Sequence, residues 1–429
     1  MRWVTGILAL TVAVSAEGQQ PQLQQRLEVT LPEAIQRSLF VQPTMIQARG
    51  EQRNAGAQRR AAYGAFLPSL TLSSSAIRQT DSSIVNGFPV GPGDFTFNSS
   101  LTANLDLFAG FRRLARRANA QASVNAAEAG VVNERFQVTL LTKQAFYDAL
   151  ASEELVRVAQ SQVRRAQQQL QISVEKLRAG SATRSDSLRS TVDYGNARIA
   201  LLEAQANLAS DQATLGRQIG VDQPVRAVPD SALPGIPDTV ALRALAVERM
   251  PQVEQADAEA RAARASIWVA RAPYLPTFNV SWRTSSQGIT KPWDGFDNNR
   301  NLNSLTFGLS WTIFNGFARE QQQVNAGVTR DNAEAAAADT RRRVNAQLSQ
   351  QIAALATAYE KISIARDNVA AATEDVRVQN ERYRVGAATI LDLLTSQASL
   401  TQAEQNIVRV RFDYLIARAQ LEALVGREL

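Results

Sequence analysis

The chain reads as a mainly α-helical protein with a smaller β portion, its whole plan present twice. Three features carry that reading. Helical apolar periodicity runs through most of the sequence. Residues 175–186, EKLRAGSATRSD, match residues 381–392, ERYRVGAATILD, in six of twelve positions at an offset of 206. In one stretch of each copy, apolar residues recur at every second position instead. Further pairs extend the repeat: LFAGFRR (107–113) meets IFNGFAR (313–319), while Leu215 and Gly220 meet Leu421 and Gly426. Upstream, Pro43 meets Pro251 and Leu67-Pro68 meets Leu275-Pro276 at an offset of 208, so the first copy carries two extra residues before Phe108. A period this long marks a duplicated domain, not a solenoid.

At the N-terminus, residues 1–16 have one Arg, a short apolar run and the Val14-Ser15-Ala16 cleavage pattern, which reads as a secretory signal with a mature start near Glu17. Later in the chain no apolar run is long enough for a transmembrane helix. Cys and His are both absent. That excludes thiol nucleophiles, disulfides, Cys/His zinc sites and a histidine base. Neither a phosphate loop, an acid pair nor a metal constellation appears, so an enzyme is not expected and no cofactor is implied. The net charge of +6 comes from 46 basic and 40 acidic residues without basic clusters, which points away from nucleic acid.

The first copy spans 17–220 and the second 239–429, joined by VDQPVRAVPDSALPGIPD (221–238), whose prolines suggest a stiff, extended linker. Each copy opens with an amphipathic helix (33–64; 240–272) stopped by Leu-Pro. A strand pair follows at 67–108 and again at 275–314. In FTFNSSLTANLDLF, Phe95, Phe97, Leu101, Ala103, Leu105 and Leu107 alternate with polar residues, and SLTFGLSWTIF repeats the pattern through Ile313. Next comes a long helix (112–178; 318–384) of 67 residues in each copy, roughly 100 Å at 1.5 Å per residue. Heptad spacing marks it for coiled-coil packing, through Val344, Leu348, Ile352, Leu355 and Ile362 in the second copy and Val156, Val163 and Leu170 in the first. A glycine then breaks the pattern in the tips LRAGSATRSDSL (177–188) and YRVGAATILDLL (383–394), and a helix returns (184–219; 389–424). The two shorter helices together match the long one in length, so stacked end to end they can pair along all of it. Gly180 and Gly386 then lie where a very long hairpin reverses. The charged pair Glu153-Glu154 reads as a solvated helix face.

One face of each strand pair is apolar. Strands of this length suit an outer membrane, aromatic residues gather near the strand ends, and four strands cannot close a barrel alone. Several chains are therefore expected to share one barrel, because open edges are not tolerated in lipid. The duplicated plan, the strand pairs, the helix lengths and the paired tips resemble the TolC family of outer membrane efflux proteins over about residues 31–426. The resemblance implies a homotrimer with a 12-stranded membrane β-barrel and long antiparallel coiled-coil helices forming a periplasmic tunnel. It also implies a passive duct in the outer membrane lipid, serving a periplasmic adaptor (a membrane fusion protein) and an inner-membrane RND or ABC pump, for efflux or type I secretion. The alternative class is a soluble periplasmic coiled-coil scaffold or adaptor.

Carried onto this sequence, the resemblance makes Arg178, Gly180, Ser181, Arg384, Gly386 and Ala387 the adaptor-docking tips. It makes Asp392 the constriction and joins Tyr383 to Asp186 in a link that holds neighbouring hairpins shut. Ala388 and Thr395 stand where the family's best-known channel has an arginine and a second aspartate, which leaves Arg184 as a candidate substitute. A plainer role stays open for both aspartates, as carboxylates near a helix N-terminus. Phe108, Gly110, Phe111, Phe314, Gly316 and Phe317 mark the junction of barrel and helices.

Overall fold

In the computed structural model, the described residues are 27–78, 95–229, 247–288 and 302–429, with residues 80–81, 83–85, 88–90, 234–238, 242 and 291 between them. The signal segment 1–16 lies outside the described residues, as do parts of both strand-connecting loops. In chain order the elements begin with β1 (Leu27–Val29), α1 (Leu31–Val41), α2 (Pro43–Gly64) and β2 (Ser69–Arg78). A short hairpin, β3 (Ser83–Val85) and β4 (Phe88–Val90), leads to β5 (Phe95–Ala109), α3 (Arg112–Arg178), α4 (Arg184–Ile219) and β6 (Val225–Ala227). The second copy supplies α5 (Pro251–Arg271), β7 (Thr277–Gly288), β8 (Leu302–Ser310), α6 (Ala318–Arg384) and α7 (Ile390–Val425).

The long helices fall where the heptads place them, with 67 residues each. The opening helices do not run unbroken. Gln42 takes an extended conformation between α1 and α2, and in the second copy a 3₁₀ turn at Val247–Arg249 and an extended Met250 precede α5. Pro43 and Pro251 cause both breaks: proline offers no N–H to the preceding turn, and its ring drives the residue before it out of helical space. Each break receives the end of a later helix. A Cβ on Gly220, which follows α4, would stand 2.3 Å from Val41, and one on Gly426, which follows α7, 2.6 Å from Pro251. The shorter helices therefore do stack end to end along the long ones. Side by side, α2 and then α4 flank α3, α5 and then α7 lie between α3 and α6, and the result is a wall four helices wide.

The four long strands form one antiparallel sheet in the order β2-β5-β7-β8, so the two copies are joined edge to edge between β5 and β7. The alternation breaks earlier than the residue pattern suggests. A register shift between Asp106 and Phe108 leaves Leu107 unpaired, and β8 ends at Ser310, before Trp311 and Ile313. A bulge of this kind turns a strand at a sheet's rim, here just before α3. Leu72 and Leu309 are 73% and 74% exposed and Phe307 62%, so the helices do not cover the sheet's apolar face. That removes the packing a soluble scaffold would need. No described helix is long and apolar enough to cross a membrane.

The linker corrects another expectation. Instead of running free, Val225–Ala227 pairs in parallel with Leu27–Val29. Val225 and Ala227 enter a core with Phe146, Leu150, Leu215 and Ile219, while Arg226 points out to Glu28 (3.0 Å) and Glu153 (2.8 Å). Glu153 is thus a partner of the linker, not a bare solvated group.

Candidate functional site

The tips are built by local rules that the motif Gly-x-x-Thr-x-x-Asp encodes. At the end of α3, Gly180 N–H bonds Leu177 O (3.0 Å) and Ser181 N–H bonds Lys176 O (2.9 Å); at the end of α6, Gly386 and Ala387 repeat this onto Tyr383 O and Arg382 O. This paired closure requires a left-handed residue after the helix, and Gly180 and Gly386 have φ of 71° and 81°. Nothing lies within 4 Å of a Cβ built on either glycine, so conformation fixes these positions and the outer side of each turn is open. Thr183 and Thr389 then cap the returning helices. In each case the threonine Oγ1 accepts from the aspartate N–H, and the aspartate carboxylate accepts from the threonine N–H. Asp186 and Asp392 are therefore helix-starting residues first. Both threonine bonds to the Asp392 carboxylate go to Oδ2, and the residue is exposed. The Thr389 N–H, then its hydroxyl, hold this carboxyl below the usual range, so it is a charged group at the tip.

Within one chain the tyrosine–aspartate link is not made. Tyr383 is buried, and its hydroxyl has no hydrogen-bond partner among the described residues. Instead Lys176, from the first hairpin, donates to the Tyr383 carbonyl at 2.5 Å and places its ammonium 4.0 Å from the Tyr383 ring centroid. This cation–π contact, with Ile172 packed against the cluster of Tyr383, Ile390 and Leu393, joins the hairpins at the tip. Arg184 opens α4 as an exposed residue with no partner among the described residues. Arg178 and Arg384 are exposed beside the glycines, with Arg384 3.4 Å from Glu381. Val385, which the sequence reading passed over, is 78% exposed at the second turn.

Lys176 is the last of four rungs. Along α3, Lys143, Glu154, Arg165 and Lys176 stand eleven residues apart, three helical turns, and each grips the second copy. Lys143 pairs with Glu422, Glu154 with Arg411 (3.4 Å), Arg165 with Glu404 (2.8 Å), and Lys176 with Tyr383. Arg165 is doubly bound, reaching both Glu404 oxygens and the Thr401 hydroxyl. An eleven-residue interval keeps a stripe on one face of a nearly straight helix. The search for heptads missed it because its members are charged.

At the opposite end the junctions repeat each other closely. Gly110, Phe111, Gly316 and Phe317 all have positive φ, between 59° and 67°. For phenylalanine that conformation costs about 1–2 kcal/mol. Phe111 packs edge-on against Phe108 at 5.2 Å and Phe317 against Phe314 at 5.4 Å. An arginine two residues past each of these phenylalanines clamps the strand end: Arg113 donates to Leu107 O (2.8 Å) over the Phe66 ring, Arg319 to Thr312 O (2.7 Å) and Ile313 O (2.8 Å) over Tyr274. Both arginines sit in the repeated GFRR and GFAR, so the signal was present but unused.

A membrane-facing sheet fused to a wall of paired helices about 100 Å long defines a class of outer membrane channel, and comparison with known proteins agrees. The outer membrane efflux protein family matches residues 34–221 and 242–427, and the chain belongs to it. It shares 28% identity over 77% of its length with the pyoverdine export outer membrane protein OpmQ of Pseudomonas putida, covering 70% of that protein. With the protein CyaE of Bordetella pertussis it shares 27% identity over 89% of its length and 80% of that protein. In fold it is similar to the outer membrane protein VceC of Vibrio cholerae, with a TM-score of 0.79 at 18% identity over 93% of this chain and 96% of that one. The protein is an outer membrane component of efflux or secretion, with the TolC-like duplicated fold.

Proposed function

We propose that three copies close a 12-stranded barrel and a 12-helix tunnel, forming a passive duct between the periplasm and the exterior. The carrying observation is the four-stranded sheet with an exposed apolar face and two unpaired long edges, β2 and β8, on a wall four helices wide. Lipid does not tolerate open edges, and three such units close without one. The open turns at Gly180 and Gly386, with Arg178, Ser181, Arg384 and Ala387 beside them, are the surface for a periplasmic adaptor, which connects the duct to an inner-membrane pump of the RND or ABC class. Three Asp392 carboxylates form an acidic ring at the narrow end, and Lys176 on Tyr383 takes the place of the tyrosine–aspartate link in holding the hairpins together.

The test is export with a reporter for assembly. Gly386→Trp is expected to abolish cargo export by cells while leaving heat-modifiable trimers in the outer membrane at native abundance. Trimers with undiminished export would remove the docking role, and recovery of the native chain only in a soluble periplasmic extract would remove the duct.

A further inference from the structure

The polar face of the sheet has one uncompensated charge. Its rows are mainly Ser, Thr, Asn and Gln: Arg283 pairs laterally with Thr102 and Ser304, and the next rows toward the loops are Ser73-Ser100-Ser285-Leu302 and then Asn98 with Gln287. Among the described residues of this face the charged groups are Arg283 and Asp106, and Asp106 lies 3.7 Å from Arg112. No carboxylate among the described residues answers Arg283. Among the described residues, its guanidinium makes a single 3.3 Å bond, to the Ser100 hydroxyl, and it lines a cavity of about 460 Å³ walled mainly by serines. A guanidinium carries five donors suited to planar oxyanions, so most of its donor capacity faces open space.

We propose that Arg283 is an oxyanion-retaining, selectivity-determining residue inside the barrel, taking carboxylate- or phosphate-bearing cargo with help from the neighbouring hydroxyls. This rests on the trimeric duct: the apolar face turns to lipid, so the polar face turns to the lumen, and threefold symmetry sets three guanidinium groups at one level. For three charges on the order of 10 Å from the axis at ~0.1 M salt, screened attraction enriches a monovalent anion roughly twofold and depletes a cation equally. The anion-to-cation preference is then on the order of fivefold, and it fades at ~1 M, where the screening length is about 3 Å. The sign is opposite to that of the Asp392 ring. The duct therefore carries two charge filters, one at each end.

The experiment uses the full-length trimer in planar lipid bilayers, with Asp392→Asn as a background that removes the opposing ring. At ~0.1 M salt, Arg283→Gln is expected to lower the anion-to-cation permeability ratio roughly fivefold, and to abolish the reduction of current by added citrate. Arg283→Lys keeps the charge but not the planar fork, so it should hold the permeability ratio while weakening the citrate effect. An unchanged ratio and unchanged citrate effect in Arg283→Gln overturn the inference and leave the duct standing. Absence of any channels from the native protein overturns the duct, and this site with it.

Discussion

The two helical hairpins share their length, turn and caps, yet they are zipped with different residues. From residue 152 to the tip, the first buries Ser152, Val156, Ala159, Ala166, Gln169 and Ser173 on α3, with Ser190 and Ala197 on α4. Ser173 and Ser190 bond across the seam at 2.8 Å. At the same levels the second buries Ile362, Ala365 and Tyr383 on α6, with Ile390, Leu393, Ser396 and Leu400 on α7. Large aliphatic side chains stabilise by about 1.5–3 kcal/mol each when fully buried. Small ones bury little and act by letting backbones approach. Toward the tip the second hairpin is thus the sturdier body, and the first is a close-packed strip tied to it by the rungs at Arg165 and Lys176.

The strongest way to break this contrast is Leu393→Ala, at a fully buried position near the tip. Removing a fully buried leucine from the second seam should destabilise by about 2–5 kcal/mol, read as a lowered denaturant midpoint of the trimer. Ala159, buried in the first seam, calls for the reverse change. Ala159→Leu overfills a seam made for small residues and should cost about 1–3 kcal/mol, whereas a neutral result would mean that this seam is loose.

A smaller effect depends on pH. Asp148, exposed along α3, has its carboxyl raised first by partial desolvation and then by the charges of Asp211 on α4 and Asp413 on α7. An acid with a folded pKa above its unfolded one holds its proton more tightly when folded. The stability it contributes is present in the protonated form and lost as pH rises through the raised pKa. Asp148→Asn should therefore raise the melting temperature at neutral pH and leave it unchanged below the carboxylate range. A variant that melts lower at neutral pH would contradict that sign.

Much of this architecture was legible because it is written in periodicity. The long helices were bounded to the residue since Phe-x-Gly-Phe starts them and Gly180 or Gly386 stops them, and both signals occur twice. All the left-handed residues among the described ones fall in pairs 206 apart: 110 with 316, 111 with 317, 180 with 386, and 220 with 426. What stayed hidden has no period of its own. Pro43 and Pro251 sit inside amphipathic patterns that continue past them, so the breaks looked like single helices. The pairing of Val225–Ala227 with Leu27–Val29 joins segments about two hundred residues apart, which local pattern does not report. At the tip, the motif showed where Asp186 and Asp392 stand, while their reciprocal bonds to Thr183 and Thr389 required geometry. Lys176 escaped because its partner lies on the other hairpin.

That joint offers the most direct test of the proposed duct, in which Lys176 on Tyr383 would keep the narrow end closed. Single-channel conductance in planar bilayers should be low for the native trimer and for Lys176→Arg, which preserves the cation over the ring. It should rise several-fold for Lys176→Met, which keeps the stem and removes the charge, with the melting temperature nearly unchanged because the other three rungs remain. Equal conductance for native protein and Lys176→Met, in channels of equal stability, would show that the hairpins are held shut by something else.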